Sequence, residues 1–346
     1  MAFRTQFTWA SSPLIVNAPM GGFAGPELAA AVSRAGGLGM VGALMDAAVL
    51  SEQLTKAASL LNAEPAVKSN SCLPIGVGLL LFALGKKKIE FLETLAKHKP
   101  AVIWLFAETA LSDYTEWATD IRKLCPESQL WIQTGTVGSA LQLAKDAKPD
   151  VLVMQGKDAG GHGWESGAGV ISLLPEAKDA LARDGYDVGV LASGGIVDAR
   201  GTAAALSLGA DGVVMGTRFL ASKEVTAPPL YQQQILDTHD GGQYTIRAKV
   251  FDELRGPNVW PAAYDGRAIV SKSYEDYANG VGIDQIRKRH SQALESDDKG
   301  LGASRRAVVW CGTAVGLVNE ICPAADIVRE LHQNVRVILD ETKARL

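Results

Sequence analysis

Residues 188–220 read VGVLASGGIVDARGTAAALSLGADGVVMGTRFL. Two apolar runs, 188–193 and 212–218, each meet a glycine turn, and one helix-like segment lies between them. Runs that stay apolar on both faces are typical of parallel strands covered by helices. The stretch therefore predicts a βαβ unit that brings both glycine turns to the same edge of a parallel sheet.

The same alternation of strand-like and helix-like segments extends back to the N-terminus. Eight units that close on themselves form a barrel, whereas a doubly wound open sheet usually has fewer strands and a GxGxxG turn after its first strand. The first turn here, APMGGFAGPE, does not fit GxGxxG, so we predict a (β/α)₈ TIM barrel. The predicted strands are 14–20, 38–43, 74–82, 101–107, 129–134, 151–155, 188–193 and 212–218.

Three segments follow from this pattern. Residues 1–220 are predicted to form the barrel, and residues 221–305, where the rhythm breaks, an insertion between the eighth strand and the last helix. The insertion could act as a lid, form a homodimer contact or be a solvent-exposed stretch with neither role. Residues 306–346 contain AADIVRELHQNVRVIL, an amphipathic pattern predicted to supply the helix that completes the barrel.

Composition excludes several classes of function. The chain has 346 residues, is 47% hydrophobic and carries a net charge of −4. Its lysines and arginines are scattered, so no nucleic-acid footprint is expected. Neither a membrane span nor a signal peptide is predicted, which favours a cytoplasmic protein with a small-molecule substrate. The four cysteines form no CxxC pair, and no metal site is expected.

In TIM barrels ligands bind on the loops after the strands. The glycine turns after the seventh and eighth strands are predicted to hold a phosphate with backbone N–H groups. His162, in the glycine-rich loop after the sixth strand, is a candidate acid or base. The other histidines, His98, His239, His290 and His332, are predicted to lie on the surface. Gln133 could contact a ligand ring or be an ordinary amide at the barrel rim.

At this point four stretches resemble one family. PLIVNAPMGG (13–22), VMQGKDAGGHG (153–163), VLASGGIVDARGTAAALSLGADGVVMGTRFL (190–220) and GLVNEICPAADIVREL (316–331) are similar to the nitronate monooxygenases, formerly 2-nitropropane dioxygenases. These are barrel enzymes that depend on flavin mononucleotide (FMN). The resemblance implies FMN as cofactor and places His162 on the family's catalytic histidine. The implied cofactor-binding residues are Ala18, Pro19 and Met20 along the isoalloxazine, Gln133, Gly160 and Gly161 around the ring, and Ser193, Gly194, Gly195, Gly216 and Thr217 at the phosphate.

The resemblance also implies a reaction. Alkyl nitronates would be oxidised by O₂ to a carbonyl compound and nitrite, and His162 would remove the α-proton when the substrate is a neutral nitroalkane. The superfamily also contains NAD(P)H-dependent quinone and enoyl-thioester reductases with the same loops, and this alternative stays open. So does a third, an inactive barrel that merely binds flavin. Residues 241–290 match the family poorly, which leaves the substrate undetermined.

Overall fold

The structure, a computed structural model, describes residues 6–62 and 72–345. The predicted segments 1–220 and 306–346 therefore extend beyond the described residues at 1–5, 63–71 and 346. The described residues contain eleven strands, numbered in chain order, and eight of them form one parallel sheet. They are β1 (Leu14–Asn17), β2 (Gly39–Gly42), β3 (Leu73–Leu80), β4 (Pro100–Phe106), β5 (Gln129–Thr134), β6 (Val151–Gln155), β7 (Gly161–Trp164), β8 (Gly189–Ser193), β9 (Gly212–Met215), β10 (Thr245–Ala248) and β11 (Tyr264–Ile269).

The eight-stranded sheet runs in the order β1-β9-β8-β6-β5-β4-β3-β2 and is nearly closed. A single parallel bridge, Val16 to Leu38, links its two ends. The side chain of Asn17 supplements this bridge, since its Nδ2 donates to the carbonyl of Met40 at 2.9 Å and its Oδ1 accepts from Met40 N at 2.9 Å. The predicted TIM barrel is confirmed.

All eight predicted barrel strands are present, and β5 and β6 have the predicted bounds. The first and the eighth were wrong at their ends: the runs were predicted to reach residues 20 and 218, but β1 stops at Asn17 and β9 stops at Met215. Gly216 has φ −98° and ψ −72°, which turns the chain into a short helix that begins at Thr217. Thr217 therefore lies at a helix start rather than in a strand.

Helices cover the outside of the barrel. The last of them, α15, packs against α8 and α1 and so fills the place of the eighth barrel helix. None of the helices in the described part of the chain is long and apolar enough to cross a membrane. The helices are α1 (Pro26–Arg34), α2 (Ala47–Asn62), α3 (Leu81–Leu84), α4 (Lys88–His98), α5 (Leu111–Leu124), α6 (Val137–Asp146), α7 (Val170–Arg183), α8 (Ala199–Ser207), α9 (Thr217–Leu220), α10 (Pro229–Asp237), α11 (Gly241–Tyr244), α12 (Val250–Glu253), α13 (Lys272–Ala278), α14 (Ile283–Leu294) and α15 (Ala324–Lys343).

Residues 221–305, the predicted insertion, contain helices α10 to α14 and strands β10 and β11. Its strands β10 and β11 pair in antiparallel fashion, and β11 also pairs with β7, which leaves the barrel after β6. A second, smaller core of Val250, Phe251, Leu254, Ala268 and Ile286 lies within the unit. The segment predicted to be a glycine-rich loop around His162 is therefore partly a strand, because β7 finds a partner about a hundred residues further along the chain.

Candidate functional site

All twelve predicted site residues line one cavity of about 350 Å³ at the carboxyl ends of the barrel strands. The sequence had placed these residues on five different strand ends, and the barrel brings them together. They are Ala18, Pro19, Met20, Gln133, Gly160, Gly161, His162, Ser193, Gly194, Gly195, Gly216 and Thr217.

Apolar and aromatic side chains form most of the remaining wall. Leu80, Trp104 and Phe106 line the cavity from the barrel side, and Trp260 lines it from the insertion. Trp104 Nε1 is buried and has no hydrogen-bond partner among the described residues. A polar edge of a bound ring would satisfy such a donor, whose isolation otherwise costs free energy. The wall therefore suits a flat, largely apolar ring with polar edges.

The other end of the cavity suits a phosphate. Gly194 has φ +105°, and a Cβ at this position would lie 2.7 Å from the carbonyl oxygen of Gly156, so only glycine fits. Thr217 Oγ1 accepts a hydrogen bond from Gly312 N at 2.9 Å, which leaves the hydroxyl proton free to donate. The first N–H groups of α9 have no partner within the helix.

No Asp, Glu, Lys or Arg lines the cavity within the described chain. A phosphate here would be held by backbone N–H groups and the Thr217 hydroxyl, the donor set that glycine-rich turns commonly offer to anions. The residues present therefore fit the phosphate and the ring of a flavin.

His162 is held in place from several sides. Its Nε2 lies 2.6 Å from Asp252 Oδ1. Its ring stacks on Trp260 with centroids 3.6 Å apart and planes inclined by 7°, and Trp310 contacts it at 4.7 Å. The Gln155 side chain donates from Nε2 to the carbonyl of His162 at 3.1 Å. The imidazole thus has a fixed orientation at the cavity wall.

Gly266 of β11 makes this arrangement possible. It lies opposite His162 in the β7–β11 register. A Cβ on Gly266 would lie 2.4 Å from the ring of Trp310, so a larger residue would displace the indole from the histidine. The insertion therefore positions both aromatic neighbours of His162.

A buried carboxyl ties the insertion to the barrel. Glu108, just after β4, accepts a hydrogen bond from the hydroxyl of Tyr264 in β11. Burial and the neighbouring Glu108 raise the pKa of Tyr264 well above its usual value. Burial also raises the pKa of Tyr114, which interacts with the same two groups. Both phenols therefore stay protonated, and Tyr264 remains a donor to Glu108.

A buried ion pair supports the strand that carries His162. Arg247 Nε donates to Asp265 Oδ1 at 2.7 Å, and the two side chains are only 5% and 8% exposed. Arg247 also donates to the carbonyls of Ala159 and Asp265. The pair therefore links β10, β11 and the turn before β7.

Sequence reasoning missed the residues that the insertion and the segment directly after it contribute. Asp252, Trp260, Tyr264 and Trp310 lie in stretches without a recognisable motif, and no local signal pointed to them. The prediction that His290 lies on the surface was wrong, since it is 2% exposed. Its Nδ1 lies 3.0 Å from a backbone carbonyl, and burial lowers its pKa below the usual value.

Fold and site together define a TIM-barrel oxidoreductase with a flavin-type cavity, and comparison with known proteins supplies the family. The family model for nitronate monooxygenase matches residues 5–334. A relative named nitronate monooxygenase npaC, from Metarhizium robertsii, is 40% identical over all of this chain and 97% of its own length. A nitronate monooxygenase of Neurospora crassa is 37% identical over 99% of this chain and 94% of its own.

The chain belongs to the nitronate monooxygenase family, as its motifs predicted, and it is a flavin-dependent oxidoreductase. Among solved structures, FabK from Thermotoga maritima superposes with a TM-score of 0.78 at 22% identity, covering 99% of this chain and 98% of that one. The nitroalkane oxidase of Streptomyces ansochromogenes gives 0.75, also at 22% identity, over 99% of this chain and 100% of that one. At such identity these two likenesses support the fold.

Proposed function

We propose that the protein binds FMN and uses O₂ to oxidise alkyl nitronates to a carbonyl compound and nitrite. One observation supports this proposal above the others: His162 is the one imidazole that lines the cavity within the described chain, and no Asp, Glu, Lys or Arg lies beside it in the lining. A nitronate is an anion with two oxygens that accept hydrogen bonds. An imidazole at an otherwise uncharged wall can meet that charge and fix its position.

A flavin, when bound, would supply the redox chemistry between the substrate and oxygen. The chain's own residues bind and orient. Phe106, Trp260 and Trp310 give the substrate's alkyl group an apolar wall and keep bulk water away from it. As an imidazolium, His162 donates a hydrogen bond to a nitronate oxygen, and as a neutral imidazole it accepts the α-proton of a nitroalkane.

FMN is the flavin that the phosphate end of the cavity favours. The turns after β8 and β9 form the usual phosphate site of TIM barrels, and here they offer the cradle of Gly194, Gly195 and Gly216 with the Thr217 hydroxyl. Gly312 closes this end from the segment that follows the insertion. We assign the isoalloxazine to the end lined by Met20, Gln133 and the two glycines before His162.

We also assign a role to residues 221–305. Because this unit brings Asp252 and Trp260 against His162 and buries its own small core, we propose that it is a lid that completes the site. A solvent-exposed stretch without a role in the site would leave Asp252 and Trp260 exposed.

Product assays with purified protein test the function. Nitrite release and O₂ uptake are measured with ethylnitronate and with nitroethane, in wild type and in His162→Ala. We expect wild type to form nitrite from ethylnitronate, and the variant to keep its flavin but lose most turnover of nitroethane. Absence of nitrite from ethylnitronate in flavin-loaded wild type would refute the proposal. Unchanged nitroethane turnover in the variant would remove His162 from the mechanism.

A further inference from the structure

The contact between Asp252 and His162 has a chemical consequence for the site. Nε2 of His162 is hydrogen-bonded to Asp252 Oδ1 at 2.6 Å. A carboxylate is an acceptor only, so a neutral imidazole in this contact carries its proton on Nε2. The other ring nitrogen, Nδ1, has no hydrogen-bond partner among the described residues. It is also not fully buried, since it is absent from the buried polar atoms that lack a partner.

We propose that Asp252 is a positioning residue that holds the His162 proton on Nε2 and thereby leaves Nδ1 as the base that meets a neutral nitroalkane in the cavity. The inference rests on the proposed function, because only a substrate that still carries its α-proton needs this base. In the step itself the α-C–H bond breaks, the proton passes to Nδ1, and the electron pair enters the C=N bond of the nitronate.

The surroundings of Asp252 support a role beyond folding. Its side chain is 7% exposed, and its second oxygen, Oδ2, is buried without a hydrogen-bond partner in the described chain. A buried acceptor left unpaired costs about 1–3 kcal/mol, which a neutral side chain at this position would avoid. The carboxylate also favours the imidazolium that forms when Nδ1 takes a proton, as the acid of a catalytic triad does.

The stacked Trp260 contributes to the same arrangement. With centroids 3.6 Å apart and planes inclined by 7°, the indole covers one face of the imidazole and prevents it from tilting. A half-turn of the ring about the Cβ–Cγ bond would put Cε1 in the place of Nε2 and break the contact with Asp252. The two neighbours therefore fix both the plane of the ring and its edge.

Asp252→Asn tests the proposal, with Glu253→Gln as the matched control. Glu253 lies next to Asp252 in α12, and its side chain makes no hydrogen bond to His162. The Asn amide can donate to Nε2 and so move the ring proton to Nδ1. We expect kcat/KM for nitroethane, divided by kcat/KM for ethylnitronate, to fall about 10²–10⁴-fold in Asp252→Asn and to be unchanged in Glu253→Gln.

A measurement that needs no turnover accompanies the kinetics. Protein labelled with ¹⁵N-histidine is examined at mildly alkaline pH, and the His162 signals are assigned by their loss in His162→Ala. Wild type should show a pyrrole-type Nε2 and a pyridine-type Nδ1. A proton on Nδ1 in wild type would overturn the proposal even if Asp252→Asn failed to fold.

The outcomes separate this inference from the proposed function. Suppose that wild type oxidises ethylnitronate but Asp252→Asn keeps the wild-type ratio of kcat/KM values for nitroethane and ethylnitronate. That result overturns the role of Asp252 and leaves the proposed function intact. Wild type that does not oxidise ethylnitronate refutes the function, and the ¹⁵N shifts then decide alone whether Asp252 holds the proton on Nε2.

Discussion

The buried ion pair of Arg247 and Asp265 should contribute far more to the free energy of unfolding than the exposed pair of Lys249 and Glu165 beside it. Replacement of Arg247 by Met keeps much of the side-chain volume but leaves the Asp265 carboxylate, 8% exposed, without its cation. The carbonyl of Ala159 also loses its donor. Removal of one partner from a buried ion pair costs about 3–5 kcal/mol, since the remaining charge stays buried.

Lys249→Met is the matched control. Lys249 lies two residues further along and pairs with Glu165 at 2.7 Å, but the two side chains are 37% and 49% exposed. Water solvates both charges already, so this pair should contribute about 0.2–1 kcal/mol. The same substitution in neighbouring positions thus isolates the effect of burial.

Urea unfolding followed by tryptophan fluorescence and by circular dichroism measures both variants. We expect Arg247→Met to lower the free energy of unfolding by at least about 3 kcal/mol and Lys249→Met by less than about 1 kcal/mol. Equal destabilisation by the two variants would refute the reasoning.

Three further predictions concern the cavity and the lid. Gly194→Ala, which forces a Cβ to 2.7 Å from Gly156 O at φ +105°, should weaken flavin binding about 5- to 150-fold, since such strain costs about 1–3 kcal/mol; an unchanged Kd in a flavin-fluorescence titration would contradict this. Trp260→Ala should lower kcat/KM for ethylnitronate about two- to tenfold through loss of the stack on His162, as measured by steady-state nitrite release. Burial lowers the pKa of His290 in the folded protein, so its contribution to stability is present above the usual value of about 6.5 and lost as pH falls below it. The Tm of wild type should therefore fall more steeply below that pH than the Tm of His290→Asn. Parallel curves of Tm against pH for the two proteins would contradict a lowered pKa of His290.

The sequence predicted the barrel and most of the cavity because both depend on local patterns. An apolar run such as that of β6 indicates a buried parallel strand without knowledge of its neighbours, and a glycine turn directly after a strand indicates the ligand end of a barrel. The barrel topology then brings distant turns together, so Ala18 and Thr217 could be assigned to one cavity from the chain alone.

The contacts of His162 could not be predicted in the same way. Asp252 lies 90 residues further along, on a four-residue helix with no motif, and it reaches His162 only because β7 pairs with β11. That pairing depends on tertiary packing, and the strand character of GHGW is weak by composition. The end of β9 was mispredicted for a related reason, since the helix that starts at Thr217 follows an apolar run that reads as one continuous strand.

Anaerobic absorbance titration of the purified, flavin-loaded protein tests the central claim most directly. Ethylnitronate is added to one cuvette and NADH to another, and the spectrum of the bound flavin is followed. We expect ethylnitronate to change the flavin spectrum stoichiometrically and NADH to leave it unchanged. Rapid bleaching by NADH, with no response to ethylnitronate, would contradict it and assign the protein to the quinone or enoyl-thioester reductases that share these loops.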